Sequence, residues 1–123
     1  MTLRYRLAKA AQSDIVDILA WTQVSFGESA RLRYELLLVT AFRDIAENPA
    51  RPGSQARPEL GEGVRSWHLR RSRDRACTDD GVVRRPRHFV IYRLADATVI
   101  TIGRILHDAM ELERHLPKGG DWG

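Results

Sequence analysis

Arg65, Arg93, Arg104 and His107 are the four residues to weigh for chemistry on a charged substrate in this 123-residue chain. Arg93 follows the run Phe89-Val90-Ile91-Tyr92, and Arg104 and His107 bracket Ile105 and Leu106. Guanidinium groups stabilise charge building on a phosphate, and an imidazole can move a proton near neutral pH. The same groups also serve purely structural ends. Arg93 and Arg104 can form ion pairs with Glu59, Glu62 or Asp108 at a sheet margin, and His107 can cap a strand–helix junction. His115 fits the C-terminal end of a helix, where the dipole favours a cation, and Asp14 fits the first turn of one.

The remaining chemistry is sparse. The four histidines (His68, His88, His107 and His115) show no metal-ligand spacing, so no metal is expected. Cys77 is the single cysteine, which excludes an internal disulfide, and it sits among turn residues as an inert loop thiol. No glycine motif that would cradle a phosphate is present, and no cofactor is expected.

Charge is the stronger compositional signal. The formal net charge is +4, and arginine supplies all the basic groups except Lys9 and Lys118. Between Arg57 and Arg93 there are ten arginines and five acids, so the local excess exceeds that of the whole chain. Such a field attracts phosphate or an acidic protein surface; a solvated basic loop is the alternative. The aromatic interleaving typical of single-strand binding is sparse within that stretch. No apolar run approaches a membrane span, and the start MTLRYRLAK lacks a signal-peptide core, so a cytoplasmic protein without membrane contact is expected.

These residues need elements to hold them. Residues 2–8 alternate as a short strand, with Leu3, Tyr5 and Leu7 on one side. Helical spacing of Ala11, Ile15, Ile18, Leu19 and Thr22 predicts a helix over about 10–25, without a Ser or Thr cap near Ala8 and ended at Gly27. A second helix over about 28–47 stops at Asn48-Pro49 and forms an antiparallel hairpin with the first. Residues 49–62 read as a Pro/Gly/Arg-rich connection, 64–71 as a strand, and 72–87 as a long basic hairpin loop. Strands at about 88–94 and 98–106 follow, with Gly103 marking a bulge or a close backbone approach. A short helix at about 108–116 ends at Pro117, and 118–123 form a flexible tail. The fold class is α+β. An N-terminal strand and an antiparallel helical hairpin pack on a small, mainly antiparallel twisted sheet, in one domain spanning 1–117.

The second helix has an unusual pattern. Ala30, Tyr34, Leu37, Leu38, Ala41 and Ile45 make a core stripe, and Leu32, Leu36 and Val39 lie roughly opposite. Either this helix is sandwiched within the domain, or Leu32, Leu36 and Val39 join Trp21 and Val24 in a groove for a partner.

The order of these features resembles the ParE-like branch of the RelE/ParE toxins of toxin–antitoxin pairs. Tyr5-Arg6-Leu7 with Ala11, Asp14, Ile15 and Ile18 resembles the family's first strand and helix. Asn48-Pro49, Pro52-Gly53, Glu59-Leu60 and Gly63-Val64-Arg65 resemble its helix-end turn and the start of its sheet. Ile91-Tyr92-Arg93 and Arg104-Ile105-Leu106-His107 through Met110, His115 and Leu116 resemble its closing strands and helix. The resemblance implies a bacterial toxin that poisons DNA gyrase by contact, with Arg93, Arg104 and His107 as target-binding candidates. It also implies a ParD-like antitoxin partner that docks at Trp21, Val24, Leu32, Leu36 and Val39 and carries the only link to operator DNA. The alternative it implies is a ribosome-associated mRNA endoribonuclease of the RelE type, in which Arg65 and Arg93 bind phosphate and His107 is the acid/base.

Overall fold

The computed structural model describes residues 2–79 and 81–109. The elements are β1 (Arg4–Leu7), α1 (Lys9–Phe26), α2 (Glu28–Glu47), β2 (Gln55–Ala56), β3 (Arg65–His68), β4 (His88–Leu94) and β5 (Val99–His107), with 3-10 segments at Pro58–Leu60 and Leu69–Ala76. The sheet order is β1-β5-β4-β3-β2. β1 runs parallel to β5, and every other pairing is antiparallel. This is the expected α+β layout. The helix expected at about 108–116 and the tail at 118–123 lie, from residue 110 onward, outside the described residues.

The helical hairpin packs on one face of the sheet. Ala11 of α1 and Tyr34, Leu37, Leu38, Ala41, Phe42 and Ile45 of α2 meet Trp67, Val90, Tyr92, Ile100, Ile102 and Ile105 in one buried cluster. Each fully buried large apolar side chain there contributes about 1.5–3 kcal/mol relative to exposure. Val64, Ile91 and Leu106 form a second, smaller cluster, to which strand alternation assigns the other face. Gly27 joins the two helices with φ +96 and ψ 173, a region open only to glycine, which lets the chain reverse in one residue. Ala8 stands at the start of α1 without a side-chain cap, as the sequence implied.

The middle of the chain departs from the sequence reading. The strand ends at His68, not near Arg71, and the expected loop opens instead with a 3-10 segment. Its Leu69, Ser72 and Ala76 are buried at helical spacing, so alternation cannot continue past His68. A buried polar network fixes this segment to α2. Asp44 is 4% exposed. Its carboxylate accepts hydrogen bonds from the Ser72 hydroxyl (2.6 Å) and the Arg75 guanidinium (2.7 Å), with Arg51 at 3.4 Å. Ser72 in turn accepts from the Trp67 indole at 2.9 Å. Pairing with Asp44 pushes the Arg75 guanidinium above its usual range. The connection after α2 also contains structure the sequence reading missed, a two-residue β2 and the turn at Pro58–Leu60.

Replacing Asp44 with Ala should therefore leave Ser72 without its acceptor and Arg75 without its pair. The expected cost is about 2–3 kcal/mol, read as a lower urea midpoint. Amide exchange over residues 69–76 should rise in the same variant. Unchanged exchange there would show that apolar contacts alone hold the segment.

Candidate functional site

The β4–β5 hairpin places most of the chemistry-bearing residues, and its register decides which of them meet. Tyr92 opposes Ile102, but Ile91 opposes Arg104, so Gly103 is the extra residue of a bulge in β5. The bulge turns over the sidedness of everything after it. His107, not Leu106, comes opposite His88, and the two rings stack edge to face at 5.4 Å.

Just before this pair, Arg104 meets Asp14 of α1 at 2.8 Å. The sequence reading assigned Arg104 to Glu59, Glu62 or Asp108 and Asp14 to a helix dipole; the structure corrects both. β1 ends at Leu7, opposite Ile102, so β5 has no strand neighbour on that side beyond the bulge. The Asp14 carboxylate takes the place of a strand there, accepting the Ile105 N–H at 2.9 Å along with the Arg104 guanidinium. The pairing pushes Arg104 above its ordinary range.

Around His88 and His107 lies a cluster that sequence reasoning missed. The Arg87 N–H approaches the Tyr34 hydroxyl oxygen at 3.4 Å, and that hydroxyl lies 2.6 Å from His88 Nδ1. The arrangement is consistent when Tyr34 donates to a neutral His88. Burial, reinforced by His107, drives His88 down to about 4. Burial also raises Tyr34 to about 12. Asp108 bonds Arg87 at 2.9 Å and His68 at 3.0 Å, and the Arg87 bond chiefly holds its carboxyl down at about 2. Burial lowers His68 despite that carboxylate. His107 Nδ1 accepts the Ala109 N–H at 3.1 Å; the helix it was expected to cap lies, from residue 110 onward, outside the described residues. The signal for the cluster was present in the sequence only as pairing arithmetic across the hairpin, and the bulge had to be placed before that arithmetic worked.

Arg65, Arg93 and His107 do not come together. Arg65 opposes Tyr92, and its guanidinium is held by Ser54 through a 2.7 Å bond to the hydroxyl and a 3.1 Å bond to the carbonyl. The Tyr92 hydroxyl shares this knot, donating to the Pro49 carbonyl at 2.6 Å, and burial raises it. Strand alternation puts Arg93 on the face opposite Tyr92. His107, opposite His88, lies four residues of β4 away from Arg65, about 13 Å of strand.

The apolar residues on the helical hairpin divide. Val24 is 89% exposed, Trp21 61% and Leu32 52%. Leu36 is half-buried against the main core, and Val39 is half-buried. Among the described residues, no group of three or more His, Cys, Asp or Glu is placed to hold a metal ion, and no helix is long and apolar enough to cross a membrane.

The histidine cluster makes a pH-dependent contribution to stability. His88 is depressed when folded, so the unfolded chain binds its proton first as pH falls. Stability from this site is fully present above about pH 6.5 and is lost as pH drops towards about 4. Across that window the urea midpoint of wild type should fall more steeply than that of His88→Asn, which keeps an acceptor for Tyr34 without titrating there. Parallel curves would mean that His88 is not held neutral by burial.

Comparison with known proteins bears on the identity of this fold. The family model described as the ParE toxin of the type II toxin–antitoxin system, parDE, matches residues 5–112. A search of curated proteins finds no match. Among solved structures, the chain is similar to the chromosomal ParDE toxin–antitoxin system from P. aeruginosa, at 17% identity and TM-score 0.61, covering 86% of this chain and 96% of that one. It is also similar to the toxin–antitoxin complex RelBE2 from Mycobacterium tuberculosis, at 21% identity and TM-score 0.50, covering 87% and 99%. These likenesses support the fold, and the family-model match spans nearly the whole chain: the protein belongs to the ParE toxin family of type II toxin–antitoxin systems.

Proposed function

We propose that this ParE-family toxin acts in the bacterial cytoplasm by poisoning DNA gyrase through protein contact, and that a ParD-like antitoxin neutralises it. The observation that carries this reading is the family match over residues 5–112. The geometry adds support against the ribonuclease alternative. Arg65 is tied down by Ser54, Arg93 lies across the sheet, and His107 sits at the far end of β4, so no single cleft presents all three to a phosphodiester. A contact surface has no such requirement. Arg93, Arg104 and His107 can each touch a target without meeting one another, although Arg104 then acts mainly by keeping α1 on β5 through Asp14.

The antitoxin docks, in this reading, on the exposed apolar residues of the helical hairpin. Trp21, Val24 and Leu32 supply the surface, and Leu36 and Val39 form its half-buried floor. An acidic and apolar segment that orders on binding would bury these side chains and meet the arginines alongside. The antitoxin is also what brings the complex to its operator.

Two experiments test this. Induction of the chain alone should depress DNA synthesis before protein synthesis in a pulse-labelling time course. The opposite order would replace the gyrase reading with the ribonuclease one. For the antitoxin surface, Val24→Glu and Leu32→Glu should each weaken the complex by roughly tenfold or more while leaving the melting temperature of the free toxin unchanged. Leu36→Glu should instead lower that temperature, because Leu36 packs on the core. Wild-type affinity in both surface variants would place the antitoxin elsewhere.

A further inference from the structure

The arginine-rich stretch lacks interleaved aromatic residues in sequence, but the fold supplies them from another element. A cavity of about 1040 Å³ opens between the helical hairpin and residues 81–88. One wall carries Trp21 and Phe26 of α1, which are 61% and 68% exposed and stack edge to face at 5.5 Å. The facing wall carries Arg84 and Arg85, and Arg33 of α2 lines the same space. Among the described residues none of these three guanidinium groups forms an ion pair, whereas Arg87 beside them is committed to Asp108. Asp17 is the one carboxylate in the described lining.

The arginine wall is anchored. Thr78 and Gly81 exchange backbone hydrogen bonds at its start, Arg73 donates to the Arg84 carbonyl at 2.8 Å, and Pro86 is buried at its end. Arg84 and Arg85 are thus held on a fixed backbone with exposed side chains, opposite two aromatic rings that no core packing requires. Neutral His88 and half-exposed His107 close the inner end with ring N–H and ring nitrogen groups and no added negative charge.

We propose that this groove binds a short single-stranded nucleic acid, with bases stacking on Trp21 and Phe26 and phosphates held by Arg33, Arg84 and Arg85. Flat apolar rings on one side and planar, permanently charged groups on the other match the two halves of a nucleotide. The cavity is larger than one nucleotide needs, which suits a few consecutive residues of a strand. A purely acidic peptide would use the arginines but leave the ring faces bare, and the acidic and apolar antitoxin segment, which shares Trp21, would compete with the strand for this groove. The site is separate from Arg65 and Arg93, involves no bond cleavage, and does not depend on which target the toxin poisons.

The test is fluorescence anisotropy of a labelled eight-nucleotide oligo(dT) and the matching oligo(U) titrated with the full chain. Trp21→Ala and the double variant Arg84→Glu/Arg85→Glu should each weaken binding roughly tenfold. Arg43→Glu, on an exposed part of α2 outside the cavity, should change it little. Three phosphate contacts predict a log–log salt slope of about −2, reduced by about 1.4 in the double variant. Oligo(U) and oligo(dT) binding alike would locate recognition in bases and phosphates; preference for one would add a contact to the sugar or to the thymine methyl group. The proposal is overturned if Arg43→Glu weakens binding as much as the double variant, or if Trp21→Ala has no effect while both variants melt like wild type. Displacement of the oligonucleotide by poly-glutamate as effective as by unlabelled oligo(dT) at equal charge concentration would also overturn it and make the groove an acidic-protein site.

Discussion

The buried carboxylate of Asp44 is the constraint on which the middle of this molecule depends. A charge taken out of water at the end of a helix is stable only if donors surround it, and here Arg51 supplies one from nearby while Ser72 and Arg75 come from far along the chain. That requirement pulls the residues after β3 onto α2 and fixes them as a 3-10 turn. Trp67 then completes the network by donating to Ser72, so the sheet, the 3-10 segment and α2 are locked at one point. The strongly basic composition of this stretch becomes intelligible in the same terms. Part of it neutralises one buried acid, and only the remainder is available to a partner.

A second constraint works at the opposite end of the sheet. β1 is shorter than β5, so β5 has an edge that no strand covers, and α1 covers it with a carboxylate. Asp14 satisfies a strand N–H and an arginine together, tying the first helix to the segment just after the bulge. The bulge itself has a consequence out of proportion to one residue. It sends Leu106 to the smaller cluster and His107 to the helical face, where His88, Tyr34 and the cavity lie. Were Gly103 paired with Ile91 in regular register instead of bulged out, Leu106 would face His88 and the histidine pair would not exist.

What the sequence made legible follows from how local each signal is. α2 and β4 occupy the ranges read from periodicity, because helix punctuation at Asn48-Pro49 and alternation from His88 to Leu94 are local facts. The family resemblance was likewise carried by short motifs in a fixed order. The reading failed where a distant group decided the outcome. Alternation in the sequence runs to Arg71, yet Asp44 and the core beneath Leu69 end the strand at His68. Asp14 appeared to be an ordinary first-turn acid because its partner is ninety residues away in sequence. The site suffered most, since a cluster of His68, His88, His107 and Asp108 exists only once three strands and a bulge are in register.

The division of arginines between structure and surface explains why Lys is nearly absent. Arg75, Arg87 and Arg104 each hold a carboxylate through more than one N–H, a geometry that a planar guanidinium permits and an ammonium does not. Arg65 likewise reaches two oxygens of Ser54. A chain that spends its basic residues on such forks is committed to arginine wherever a fold contact is needed. Arg33, Arg84 and Arg85 carry the same chemistry and form no ion pair among the described residues. The fold secures its own segments with other arginines, and these three raise the local positive charge of the groove. In the described lining only Asp17 offsets their mutual repulsion, so an anion entering the groove would relieve it.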